Sequence, residues 1–234
     1  MRASGATLND APHRIFDLIR QQGIHMHSVR RLACALSLIA LPWLAQPGLA
    51  TTVRPMNIVD LIDNSETIVA GRVDKVTDGF NANGMPYTEI TVHVLDRFRG
   101  AEGSTYTFRQ FGLTGPRTMP DGKVFLGGRP EGWPAWHVGD VSLLFLYAKG
   151  RVTGFQTTVG LGYGKIGMGN GVAMNAYDNV GLFSNVAIDR SKLSADEQKM
   201  FDAKNGPVNA DTLRKFVRRV VNQKLKPGSD AHER

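Results

Sequence analysis

Trp133, Trp136 and His137 stand together in a stretch rich in glycine and proline, Gly112 to Gly139. Aromatic side chains anchor recognition sites, because they bury much area with few rotatable bonds. The three residues form a candidate binding patch, and the competing reading folds them back onto the protein's own strands. Other chemistry is poorly supplied. His93 and His137 are the only histidines between residues 51 and 231. No His-Glu-x-x-His run offers zinc ligands at fixed spacing, so no metal is expected. The chain contains no G-x-S-x-G, the nucleophile elbow of many hydrolases. A catalytic triad would have to be assembled from distant residues around His93 or His137. Gly162 to Gly167 (GYGKIG) matches the dinucleotide fingerprint. That motif works only where a helix N-terminus follows to face the pyrophosphate. Here glycines continue through Gly169 and Gly171 without helical periodicity, so they read as turns and bulges. No cofactor is expected. Asp78 to Gly84 reads as a hairpin turn, since Phe80 falls where a calcium loop needs a ligand.

The elements that must position these residues are mostly strands. Asn57 can cap a short helix over 57–65, with Ile58, Leu61 and Ile62 on one face. Thr67 to Val76 is rich in β-branched residues and reads as a strand. Asn83-Gly84 marks a hairpin, and Tyr87 to Phe98 alternates, with Ile90, Val92 and Val94 inward. Ser104 to Phe111 alternates again, through Tyr106 and Phe108. Val141 to Tyr147 is a continuous apolar run, the pattern of the most buried strand. Arg151 to Val159 and Val172 to Tyr177 are further strand candidates. Ser194 and Glu197 form a capping box before a helix over 195–203. Asp211 is read as the cap of a second helix, 212–225. Its apolar stripe is Leu213, Phe216, Val217, Val220 and Val221, with Arg214, Lys215, Arg218 and Arg219 mostly opposite. That stripe is expected to dock on the strands and leave the four basic side chains mainly solvated. The fold class is therefore mainly β: a small antiparallel OB-like barrel of five to six strands, one N-terminal helix and two C-terminal helices. The expected core is Ile68, Val69, Val73, Ile90, Val92, Val94, Phe108, Leu144 and Leu146.

Met26 to Ala50 has the three parts of a secretory signal peptide: a basic start at Arg30-Arg31, an apolar run from Leu32 to Leu44, and Gly48 and Ala50 as small residues for cleavage. The run is too short for a bilayer span of roughly 20 residues. Residues 1–25 read as an over-called extension, with Met26 as the initiator, or alternatively as an unusually long n-region. Cleavage after Ala50 removes Cys34, the only cysteine. The expected organisation is 26–50 signal, 51–189 barrel domain and 190–234 helical tail. Charge is uneven: 12 Lys+Arg stand against 13 Asp+Glu in 51–189, and 11 against 6 from Arg190 onward. A near-neutral main domain argues against a nucleic-acid groove.

Several of these segments resemble a known group. Ile68-Val69-Ala70-Gly71-Arg72-Val73, Thr91 to Gly100 (TVHVLDRFRG), Val138-Gly139-Asp140, Leu143 to Leu146, and Val159-Gly160-Leu161 with Gly164-Lys165 resemble the pattern of a widespread family of uncharacterised exported bacterial proteins. The likeness spans most of 51–170. The same order is more distantly similar to the netrin-like module of tissue inhibitors of metalloproteinases, which implies an OB-type barrel. Those inhibitors hold a protease's zinc through an N-terminal cysteine. A chain beginning at Thr51 lacks one, so no inhibitory residue carries over.

The functional expectation is an exported, non-catalytic, monomeric binding protein, in the periplasm or outside the cell, whose unknown ligand is another exported protein or a surface ligand. Two alternatives stand beside it. One is an exported hydrolase with a triad invisible in the sequence. The other is association with a membrane surface through the basic helix 212–225.

Overall fold

The computed structural model describes residues 55–224 apart from 120. The expected signal segment 26–50, the extension before it and the end of the expected 212–225 helix lie outside the described residues. The described residues open with α1 (Ile58–Asp63), capped as its sequence indicates: Asn57 Oδ1 accepts from the Asp60 N–H at 2.9 Å, and Asp60 answers in a capping box. β1 (Thr67–Phe80) and β2 (Pro86–Arg99) form a long hairpin, followed by β3 (Thr105–Phe111). Two short strands, β4 (Arg117–Thr118) and β5 (Val124–Phe125), pair only with each other. β6 (Val141–Leu146), β7 (Lys165–Gly169) and β8 (Val172–Met174) precede α2 (Ala195–Asp202), β9 (Val208–Asn209) and α3 (Ala210–Lys224).

Seven strands form one antiparallel sheet in the order β3-β2-β1-β6-β7-β8-β9. The described residues are mainly β with three α-helices, as expected. Their strands are more numerous than expected, and they form an open sheet in which no closed barrel is found among the described residues. The strands that sequence reading missed are short. β7 hides among glycines and is specified by its pairing with β6. Residues 151–159 do not form the expected strand, and make only one bridge, Thr158 with Leu146.

β6 explains the architecture. Leu143 and Phe145 point to one face and Leu144 and Leu146 to the other, and all four are buried. A sheet buried on both sides needs no polar alternation, hence the continuous apolar run. The larger core lies beneath the helices, where Ile68, Ala70, Leu143 and Phe145 meet Ile58, Leu61, Leu213, Phe216, Val217 and Val221. The smaller core is Val73, Ile90, Val92, Phe108, Leu144 and Leu146, closed by Trp136. The expected core residues are buried except Val94, which is only partly covered. It lies where the β1–β2 register shifts between Ala70 and Gly71.

Candidate binding surfaces

A lysine helps to hold the loop before β6. Lys165, at the start of β7, extends Nζ to Ala135 O and to Asp140 Oδ2, each 2.6 Å away. The same ammonium lies 4.7 Å from the centroid of the Trp136 indole. Trp136 Nε1 donates to Gln110 Oε1 at 3.2 Å, and the ring meets Phe108 edge-on at 5.4 Å. At 6% exposure Trp136 is withdrawn from the surface. Trp133 is half-buried and its backbone N–H donates to Pro130 O. The His137 side chain is 75% exposed, with Nδ1 3.6 Å from Asp140 Oδ2. The three loop residues therefore do not share one exposed patch: Trp136 closes a core, and His137 faces solvent beside a carboxylate already bound by Lys165. Burial pushes the Asp140 carboxyl upward. The Lys165 hydrogen bond and charge, helped by the His137 N–H, outweigh that and hold it below 3.8.

The basic helix is largely committed too. Arg214 Nη2 reaches Asp96 Oδ2 on β2 at 2.8 Å, and Arg218 binds the other oxygen of the same carboxylate. Arg218 also donates to Arg97 O at 3.1 Å and lies 4.6 Å from the Phe98 ring centroid. Arg219 Nη2 pairs with Glu197 Oε1 at 2.8 Å, and Glu197 is the buried capping residue of α2. The expectation of a mainly solvated basic face is thus corrected for Arg214 and Arg219, which are half-buried, while Arg218 stays exposed as it pairs with Asp96. Lys215 has no ion-pair partner among the described residues. The cap also differs: Thr212 N donates to Asn209 Oδ1 at 2.9 Å, and the helix begins at Ala210, two residues before the expected start.

His93 projects from the outer side of β2, its Nδ1 3.9 Å from Asp74 Oδ2. Among the described residues no hydroxyl is hydrogen-bonded to either imidazole, and no three His, Cys, Asp or Glu side chains gather as metal ligands. The GYGKIG stretch forms a 3-10 turn, Leu161–Gly164, that runs into β7 rather than into a helix. Gly164 is required by close packing, since a Cβ there would collide with Val159 backbone and Phe145 O. No described helix is long and apolar enough to cross a membrane.

A surface that sequence reading did not single out lies on the outer side of β2 and β3. Tyr87 and Phe111 are cross-strand partners. Phe155, from the turn after β6, packs 6.4 Å from Tyr87 and 6.2 Å from Phe111 between ring centroids. The Arg109 guanidinium stacks 4.4 Å from the Tyr87 centroid and donates to Glu89 at 2.7 Å. Phe111 is 37% exposed. The signal was available in the alternation: with Ile90 and Phe108 inward, Tyr87 and Phe111 must face out.

Comparisons with family models, with curated proteins and with solved structures each found no match.

Proposed function

We propose that the chain is an exported, non-catalytic binding protein that recognises another exported protein through the aromatic strip of β2 and β3. The observation that carries this reading is the cluster of Tyr87, Phe111 and Phe155 with Arg109 stacked on its end. Aromatic residues and arginine are enriched where protein interfaces are most buried. Export rests on the signal pattern of 26–50, and the resemblance to the uncharacterised exported family and to netrin-like modules belongs to the same proposal. So does an OB-like barrel. It is supported by the bond from Gln156 N to Arg109 O, 2.8 Å, which joins the segment after β6 to the free edge of β3.

The test is affinity capture from a periplasmic fraction with the wild-type protein and a Phe111→Ser, Phe155→Ser variant. A partner retained by the wild type and lost by a folded variant supports the strip. Equal capture by both proteins rejects it.

A further inference from the structure

Asn-Gly occurs three times in the chain, at Asn83-Gly84, Asn170-Gly171 and Asn205-Gly206. The dipeptide is open to a reaction with itself, because glycine has no side chain to shield its backbone nitrogen from the preceding side-chain amide. The fold treats the three pairs differently. The Gly84 N–H donates to Asn81 O at 2.9 Å, and Asn81 Oδ1 accepts from the N–H groups of Asn83 and Met85 at 3.0 and 2.9 Å. The Gly206 N–H donates to Asp178 O at 2.6 Å, and Gly206 O accepts from the buried Asn179 side chain at 2.8 Å. A nitrogen whose proton is held by a carbonyl must lose that bond before it can act as a nucleophile.

The remaining pair is the turn between β7 and β8. Gly169 and Val172 are cross-strand partners, so Asn170 and Gly171 make up the whole loop. Both have positive φ, 50° and 77°, as a type I′ hairpin turn requires. The Gly171 N–H donates to no group among the described residues, and only its carbonyl is engaged, by the Ala210 N–H at 3.0 Å. Asn170 and Gly171 are both exposed, and the Asn170 side-chain amide has no hydrogen-bond partner among the described residues. A free backbone nitrogen, a free side-chain amide and solvent therefore meet at this turn and not at the other two.

We propose that Asn170 is a site of spontaneous deamidation in the folded protein, favoured over Asn83 and Asn205. The Gly171 nitrogen gives its proton to a base in solvent and attacks Asn170 Cγ. A C–N bond forms, the Cγ–Nδ2 bond breaks, and the amide nitrogen takes a proton from water and leaves as ammonia. The cyclic imide then adds a water molecule and opens at either carbonyl, to aspartate or to an isoaspartyl linkage. The isoaspartyl product puts an extra backbone atom into the turn and so loosens the pairing of β7 with β8, the strand that carries β9. This modification does not depend on the protein-binding reading.

The test is incubation of the full chain at neutral and mildly alkaline pH, followed by peptide mass spectrometry in which fragmentation locates each gain of about one dalton. In the folded protein Asn170 should convert about three- to tenfold faster than Asn83 or Asn205, the factor expected where a backbone hydrogen bond must first open. The rate should rise with pH, because the nitrogen must lose its proton. In urea that unfolds the chain the three rates should converge. Asn170→Gly keeps the turn, since glycine accepts positive φ. It should remove the leading site and leave the melting temperature unchanged. Conversion led by Asn83 or Asn205, equal rates at the three sites in the folded chain, or a lead of Asn170 that persists undiminished in urea would overturn the proposal.

Discussion

Asp96 is a single carboxylate that holds two arginines of α3 against the sheet. Burial pushes its carboxyl up, but the hydrogen bonds and charges of Arg214 and Arg218 prevail and bring it below 3.8. The folded value is thus lower than the unfolded one, about 3.9. In acid the unfolded chain binds more protons, so stability rises with pH there. The contribution is present above the unfolded value and lost as pH falls through the folded one. Asp140 acts in the same direction. The melting temperature should therefore be nearly level from about pH 7 to 5 and fall below about pH 4. Asp96→Asn should flatten that acid limb and, after allowance for partial exposure, lower stability at neutral pH by roughly 1–2 kcal/mol. An unaltered acid limb in this variant would place the acid sensitivity elsewhere. Leu144, buried between β1 and β7, gives a second residue-scale expectation. Leu144→Ala should cost about 2–5 kcal/mol in urea unfolding, and a loss under roughly 0.5 kcal/mol would be incompatible with its burial.

α3 supplies one wall of the larger core. Phe216 is fully buried and meets Phe201 edge-on at 5.0 Å. Phe216→Ala should cost about 3–5 kcal/mol. Removing 208–234 should lower the melting temperature and expose a surface that binds apolar dye; a truncated chain that melts unchanged would contradict this packing. The stripe on α3 was legible because a helix repeats every 3.6 residues, and the capping boxes of α1 and α2 were legible because their partners lie three residues apart. The clamps were not. Arg218 and Asp96 are 122 residues apart, and Arg219 and Glu197 are 22 apart. Local pattern says nothing about charges that meet only through tertiary packing. β7 was illegible for a related reason: KIGMG has too few apolar residues to show a period, and β6 fixes its register from outside. The fate of Trp136 followed from Gln110 and Lys165, two residues remote in sequence that satisfy its N–H and cover its face.

At the scale of the molecule, export has a direct check. Mass spectrometry of secreted material should find Thr51 at the N-terminus, because Gly48 and Ala50 fit the cleavage positions; retention of residues 1–50 would remove the basis for export. The sheet order has a consequence of its own. β1 lies between β2 and β6, and α1, which begins at Ile58, shares a core with α3, which begins at Ala210. A chain that emerges N-terminus first exposes its earliest apolar surface long before the partner for that surface exists. Pairings so remote in sequence form slowly, because a long loop must close before they yield any gain. The nascent polypeptide is consequently unable to complete its core while α3 is still on the ribosome. Folding of this kind makes α3 the final piece, seated only when the ribosome has released it.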